Sequence, residues 1–125
     1  MSLHHVQMAA PPGSEPAVRA WFTALGFVEI PKPTLLAVRG GCWFRLGEGP
    51  DGAELHVGIE VDFTPARKAH PALHADVDRM AELVRKAGGE LRWADPAEWA
   101  GSHLAGLRRF HTYDPLGNRL EFVGR

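Results

Sequence analysis

The sequence has only one cysteine, Cys42, so it cannot form an internal disulfide, and this suits a reducing compartment. It also lacks the 18-residue apolar run that a membrane-spanning helix needs, and no long apolar segment follows a basic start. Basic residues are not in excess, because 14 Lys and Arg stand against 15 Asp and Glu, a net charge of −1. We therefore expect a cytoplasmic protein with neither a membrane nor a nucleic acid as its partner.

The composition indicates an ordinary globular protein. Its 125 residues are 45% hydrophobic and 23% charged, which suffices for a core without disulfides or structural metals. We therefore expect a single domain, residues 1–125.

The strongest local signal is the turn sequence YDPLGN at residues 113–118. Pro115 fixes φ near the value that a turn requires, and the Gly-Asn pair tolerates positive φ. Two strands, 108–113 and 119–123, should meet at this turn. Glu121 on the second strand lies between apolar neighbours, and burying its charge is costly without a cation. A metal ion is one candidate for that cation.

Hydrophobic periodicity and turn residues predict two halves of the same βαβββ order. The first half has a strand at 3–9, a helix from a Ser14 cap to Gly26, strands at 27–30, 41–46 and 53–61, and a turn at Pro50-Asp51-Gly52. The second half has a strand at 69–75, a helix capped by Asp76 or Asp78 and ended by Gly88, and strands at 90–94, 108–113 and 119–123. The predicted boundaries are module 1 at 1–62, a linker at 63–68 and module 2 at 69–125.

Aligning the two halves brings potential metal ligands into equivalent positions. When GAELHV in the first half is aligned with GNRLEF in the second, Gly52 falls on Gly117 and His56 falls on Glu121. The same alignment, continued without a gap to the start of each half, places His5 on His70. If a pseudo-twofold axis relates the halves, these four side chains can converge. Imidazole and carboxylate groups bind Zn²⁺, Ni²⁺, Fe²⁺ or Mn²⁺.

These segments resemble the vicinal oxygen chelate superfamily, which includes glyoxalase I, extradiol dioxygenases, fosfomycin-resistance thiol transferases and bleomycin-resistance proteins. The resemblance implies an α+β fold in which two βαβββ modules form an open, half-barrel mixed sheet around a site for one divalent metal ion. The segments that carry it are LHHVQ (3–7), AWFTALGF (20–27), ELHV (54–57), AHPAL (69–73) and YDPLGNRLEF (113–122).

The resemblance also implies roles for individual residues. His5, His70 and Glu121 match a ligand set of two His and one Glu, and His56 matches a fourth ligand position. That position is commonly Glu in glyoxalase I, so Glu121 is left as the ligand carboxylate that could act as a catalytic base. The loop 10–13 lacks the Arg expected to hold a glutathione carboxylate.

Other residues are candidates for substrate binding or are set aside. Cys42 is interpreted as a small buried strand residue rather than a nucleophile. Four histidines are interpreted as surface or wall residues because they lack a partner in the repeat or lie too far away: His4, His74, His103 and His111. The candidate substrate-binding residues are Trp43 and Arg45, which should share a strand face, together with Lys32, Arg39, Arg109 and Tyr113.

The sequence leads to one favoured function and two alternatives. The favoured function is a glyoxalase-like, metal-dependent lyase or isomerase that acts on a small, acidic, oxygen-chelating substrate through an enolate or oxyanion. The alternatives are a non-enzymatic small-molecule binding protein of the bleomycin-resistance type and an extradiol-type dioxygenase. The resemblance further implies a homodimer, in which each site can be built from modules of two chains.

Overall fold

The computed structural model describes residues 1–47 and 52–125 and contains two compact units, 1–65 and 66–125. Pro50 and Asp51 of the predicted turn lie outside the described residues. Among the helices that are described, none has both the length and the apolar character needed to cross a membrane.

Unit 1 has the predicted βαβββ order with one added helix. Its sheet has the strand order β1-β4-β3-β2, in which β1 is parallel to β4 and the other pairs are antiparallel. The short helix α2 was not predicted from the sequence. The elements are β1 (His5–Ala10), α1 (Glu15–Ala24), β2 (Val28–Ile30), α2 (Thr34–Ala37), β3 (Cys42–Arg45) and β4 (Glu54–Ile59).

Unit 2 repeats this arrangement. Its sheet has the order β5-β8-β7-β6, with β5 parallel to β8 and the remaining pairs antiparallel. The predicted α+β class is confirmed, since each unit carries an open, mixed, four-stranded sheet. The elements are β5 (Ala72–His74), α3 (Val77–Lys86), β6 (Arg92–Trp93), a 3₁₀ helix (Pro96–Trp99), β7 (Arg108–Tyr113) and β8 (Arg119–Gly124).

The helix caps agree only in part with the sequence prediction. Asp76 caps α3, because its carboxylate accepts a hydrogen bond from the backbone N–H of Arg79 at 3.1 Å. Ser14 occupies the N-cap position of α1 but does not cap it with its side chain. Its hydroxyl instead donates to the carbonyl of Pro11 at 2.6 Å, so the prediction that the Ser14 side chain caps α1 is wrong.

Each unit builds its core between one helix and one face of its sheet. In unit 1, Phe22 of α1 contacts Phe44 of β3 with ring centroids 5.0 Å apart. In unit 2, the fully buried Phe110 and Phe122 pair across β7 and β8, with ring centroids 5.4 Å apart. Because side chains alternate along a strand, the residues next to these core positions face the opposite side of the sheet. That second face carries the candidate ligands.

Asp114 organises the turn between β7 and β8. Its carboxylate accepts hydrogen bonds from the backbone N–H groups of Leu116 at 2.9 Å and Asn118 at 2.8 Å, and from the Asn118 side chain at 3.1 Å. Burial raises the pKa of Asp114, although these hydrogen bonds oppose the increase. The turn fixes the register of the hairpin, so that His111 lies directly opposite Glu121.

Replacing Asp114 should therefore destabilise unit 2. Asp114→Ala leaves the buried N–H groups of Leu116 and Asn118 without their acceptor, which should lower the free energy of unfolding by about 2–4 kcal/mol. Asp114→Asn keeps an acceptor oxygen and should cost less. Urea unfolding of the two variants measures the difference, and an equal loss of stability in both would contradict this role for the carboxylate.

Two glycines provide a matched test of backbone packing. A Cβ at Gly124 would lie 2.0 Å from the carbonyl oxygen of Ala75, a backbone atom that cannot move alone, whereas one at Gly58 would lie 2.7 Å from the flexible end of Gln7. We expect Gly124→Ala to lower the free energy of unfolding by about 1–3 kcal/mol, as overpacking does. Gly58→Ala should change the free energy of unfolding much less. A larger loss of stability in Gly58→Ala than in Gly124→Ala would contradict the packing described.

Candidate metal centre

Three side chains with metal-ligand atoms converge on the face of the unit 2 sheet that lies opposite its core, which we call the open face. His70 precedes β5, His111 lies on β7, and Glu121 lies opposite His111 on β8. One ligand atom from each lies within 4.8 Å of those from the other two. In the described ranges 1–47 and 52–125, no other set of three or more His, Cys, Asp or Glu has this arrangement.

The spacing of the three ligand atoms suits a single ion. His70 Nε2 lies 2.8 Å from Glu121 Oε2, and His111 Nε2 lies 3.3 Å from each of these atoms. Adjacent ligands bound at about 2.1 Å to a tetrahedral or octahedral ion lie roughly 3.0–3.4 Å apart. The donor set of two imidazoles and one carboxylate can therefore hold a metal ion with little movement.

Neighbouring groups orient His70 and compensate the negative charge of Glu121. His70 Nδ1 lies 2.7 Å from the carbonyl oxygen of Lys68, an acceptor that makes Nδ1 a donor and directs Nε2 toward Glu121. Glu121 is only 5% exposed, and its Oε1 accepts a hydrogen bond from Arg109 Nη1 at 3.2 Å. Burial acts to raise the pKa of Glu121, but hydrogen bonds from His70 and Arg109 outweigh it and lower the pKa. The carboxylate is therefore ionised at neutral pH.

His111 is held in its neutral form. Burial lowers the pKa of His111, and the nearby charge of Arg119 lowers it further. Arg119 Nη2 lies 3.1 Å from His111 Nε2, so the guanidinium donates and the imidazole nitrogen accepts. A metal ion would use this same lone pair of His111 Nε2, so Arg119 would have to give up the hydrogen bond when the ion binds.

Arg109 joins the cluster to the segment that precedes β7. Its Nη2 donates to Glu98 at 2.6 Å while its Nη1 donates to Glu121, and its guanidinium lies 4.3 Å from the ring centroid of Trp99. Glu98 and Trp99 belong to the 3₁₀ helix. Arg109, predicted as a substrate-binding residue, therefore holds this helix beside the cluster.

Unit 1 places its candidate ligands in a stack of rings. The buried His56 ring lies 4.2 Å from the His5 ring and 3.8 Å from Trp43, nearly parallel to both. His56 Nε2 lies 2.8 Å from Glu54 Oε1. Burial lowers the pKa of His56, although the hydrogen bond to Glu54 opposes this, and the same bond lowers the pKa of Glu54. Unit 1 thus brings His5 and His56 together, but as stacked rings.

The predicted four-ligand set draws two residues from each unit. Within unit 1 the structure pairs His5 with His56, and within unit 2 it pairs His70 with Glu121. The repeat is visible in the parallel ladders: His56 lies opposite Gln7 and Glu121 opposite Ala72, and the sequence alignment of the two halves also equates Gln7 with Ala72. The joint site of all four ligands stays a prediction.

The predicted substrate-binding residues divide between the two units. In unit 1, Lys32 Nζ lies 6.0 Å from the ring of Trp43 and also donates to the carbonyl of Gly40, while Arg39 and Arg45 are exposed. In unit 2, the Tyr113 hydroxyl accepts from Arg92 at 3.3 Å. Cys42 is buried as predicted, and burial raises the pKa of its thiol.

His111 is the residue that sequence comparison set aside and the structure places in the cluster. The gap-free alignment of the two halves puts Leu46 at the position equivalent to it, so the repeat gave no reason to select it. The signal that could have found it is the hairpin: once the turn at 114–118 is fixed, antiparallel pairing puts His111 opposite Glu121. The interpretation of His111 as a surface or wall residue is therefore replaced by one as a potential ligand.

Comparison with solved structures identifies the fold and the family. A glyoxalase family protein from Bacillus anthracis is 38% identical, with a TM-score of 0.85, over 100% of this chain and 95% of that one. The oxidase ChaP-H2 is 25% identical, with a TM-score of 0.66, over 100% of this chain and 94% of that one. A glyoxalase/dioxygenase from Nostoc punctiforme has a TM-score of 0.71 over 98% and 90%, and at 21% identity it supports the fold alone.

No protein-family model matches the sequence, and no curated protein matches it. The relationship to the Bacillus anthracis protein, which extends over the whole chain, is nevertheless close enough to assign the family. This chain belongs to the glyoxalase family of the vicinal oxygen chelate superfamily.

Proposed function

We propose that this protein is a metal-dependent enzyme of the glyoxalase type that acts on a small, acidic substrate with adjacent oxygen atoms. The observation that carries the proposal is the convergence of His70 Nε2, His111 Nε2 and Glu121 Oε2 at separations of 2.8–3.3 Å. These atoms come from a loop and two strands, so the fold and not local sequence assembles them. A cluster of this kind is better explained by function than by stability, since buried ion pairs contribute little net stability.

The metal would be Zn²⁺, Ni²⁺, Fe²⁺ or Mn²⁺, all of which accept imidazole and carboxylate ligands. His70 and Glu121 belong both to the local cluster and to the predicted four-ligand set, so we propose them as ligands in either case. In the local set, the third ligand is His111. In the four-ligand set, the other two ligands are His5 and His56, and that site is built either within one chain or from two chains of a homodimer. A bound ion would stabilise negative charge that develops on a substrate oxygen.

Glu121 is the proposed catalytic base. Its lowered pKa keeps the carboxylate ionised, as a base must be, and Arg109 fixes one of its two oxygens. The other oxygen, Oε2, faces the two imidazoles. Glu121 would take a proton from the substrate carbon beside a carbonyl. For this role, the position of the carboxylate within hydrogen-bond distance of that proton matters more than the exact pKa of the carboxylate.

A dioxygenase is the second candidate function, and one specific observation favours it. The cluster in unit 2 has two His and one Glu, the ligand pattern that leaves open positions for oxygen and substrate on Fe²⁺. Loading the protein with Fe²⁺ without oxygen and then measuring oxygen uptake with catechols tests it. Uptake that depends on Glu121 would favour this function over the glyoxalase type.

The metal content of the purified protein tests the proposal directly. We expect about one equivalent of transition metal per site in the wild type. His70→Ala and Glu121→Gln should both lose it, because each removes a ligand shared by the two possible sets. Elemental analysis of folded protein provides the measurement, and His74→Ala, which alters an exposed histidine of β5, is the matched control.

Two further variants separate the ligand sets. Loss of metal in His111→Ala but not in His5→Ala would assign the local cluster, and the reverse would assign the four-ligand site. A wild type that stays empty after incubation with Zn²⁺, Ni²⁺, Mn²⁺ and Fe²⁺ would refute the metalloenzyme proposal. The small-molecule binding alternative would then take its place.

A further inference from the structure

Arg119 is a half-buried cation beside the metal cluster that lacks a carboxylate partner in the described part of the chain. It begins β8, two residues before Glu121, and alternation places both side chains on the same face. Its Nε is buried and has no hydrogen-bond partner among the residues described. Its Nη2 lies 3.1 Å from His111 Nε2. The guanidinium thus reaches the cluster with donors still unused.

The other arginines on the strands of this sheet are paired. Arg92 forms an ion pair with Glu90 at 3.0 Å, Arg108 with Asp78 at 2.7 Å, and Arg109 with Glu98 and Glu121. No ion pair formed within residues 1–47 and 52–125 includes Arg119. Arg119 therefore differs from its neighbours on the same sheet in having no carboxylate of this chain to balance its charge.

Removing a guanidinium from water is unfavourable unless an anion compensates it. The protein supplies such anions to Arg92, Arg108 and Arg109 but supplies none, in the residues described, to Arg119. We propose that the compensating anion is the substrate, and that Arg119 binds its carboxylate beside the metal cluster. This inference rests on the proposed function and narrows the substrate class to small acids with an oxygen next to the carboxylate, such as 2-oxo or 2-hydroxy acids.

The chemistry of the guanidinium group supports a carboxylate as the ligand. Arginine presents donors in a planar fork that matches the two oxygens of a carboxylate, and both Nε and Nη2 of Arg119 are on this fork. Because Nη2 reaches His111 Nε2, a carboxylate bound there would lie next to the ligand atoms of the cluster. An adjacent oxygen of the same molecule would then be directed toward the metal position.

Two chelators that differ in charge test the proposal on metal-loaded protein. Oxalate offers adjacent oxygens and a second carboxylate, whereas acetohydroxamate offers adjacent oxygens without one. We expect Arg119→Gln to weaken oxalate binding roughly 10- to 100-fold, the cost of losing a charged hydrogen-bond partner, and to change acetohydroxamate binding much less. Calorimetric titration measures both affinities.

A second readout separates anion binding from a structural role. Removing the positive charge beside His111 should increase the affinity of the apoprotein for Zn²⁺ while it decreases the affinity for oxalate, and general damage to the site would decrease both. Arg119→Lys should retain part of the preference for oxalate. Arg108→Gln, on the neighbouring strand and paired with Asp78, is the control that should leave oxalate binding unchanged.

The outcomes distinguish failure of this inference from failure of the proposed function. If metal binds but Arg119→Gln leaves oxalate affinity unchanged, or weakens both chelators equally, the role of Arg119 is refuted and the metal proposal stands. If no metal binds, a titration of the metal-free protein with oxalate, monitored by tryptophan fluorescence, still tests whether Arg119 binds a carboxylate. Binding that Arg119→Gln abolishes would support the inference, and binding that it leaves intact, or no binding to the wild type, would overturn it.

Discussion

The burial of the Glu121 carboxylate is the constraint on which the site in unit 2 depends. β8 has a neighbouring strand on each side, and its apolar residues Leu120 and Phe122 must face the core. Alternation then forces Glu121 onto the other face, where it is only 5% exposed. A charge with so little access to water requires cations or donors from its neighbours. His70 and Arg109 supply them from the two flanking segments.

The same register that packs the core therefore assembles the cluster. Phe110 pairs with Phe122 on the core face, and one residue further along, His111 pairs with Glu121 on the open face. A shift of one residue would exchange the faces and place the carboxylate in the core. The turn held by Asp114 fixes that register, so the geometry of the ligands is determined at a distance from them. The register of β7 and β8 thus determines both the packing of the core and the geometry of the cluster.

The sequence predicts the order of elements well because both halves have clear turn residues and hydrophobic periodicity. It predicts element ends less well: the strand expected at 69–75 is reduced to Ala72–His74. The carbonyl of Pro71 still accepts from the N–H of Glu121, but Pro71 has no N–H of its own to extend the ladder. The helix α2 and the 3₁₀ helix were missed because such short segments give too little periodicity to detect.

The failure to select His111 has a physical cause that also distinguishes the two units. In unit 1 the residue opposite His56 is Trp43, and in unit 2 the residue opposite Glu121 is His111. Trp43 and His111 are thus equivalent in the fold, yet the gap-free alignment does not pair them, because the chain between β3 and β4 is longer than that between β7 and β8. A constant offset along the sequence holds at β1 and β4 and at their counterparts β5 and β8, where differences in loop length cancel, but it fails at β3 and β7, which lie between loops of different length. Comparison through strand pairing finds equivalent positions regardless of loop length.

This equivalence shows where the two units differ within the same strand framework. At the position opposite the candidate ligand on the central strand, unit 1 has an aromatic ring stacked on His56, and unit 2 has an imidazole whose nitrogen lies 3.3 Å from the carboxylate. Metal bonds to imidazole lie in the plane of the ring, so nearly parallel stacked rings cannot direct their nitrogens at one ion without turning. The ligand atoms of unit 2 need no such change. Within its own residues, unit 1 therefore has stacked rings at these strand positions, whereas unit 2 has a group of side chains that could hold a metal ion.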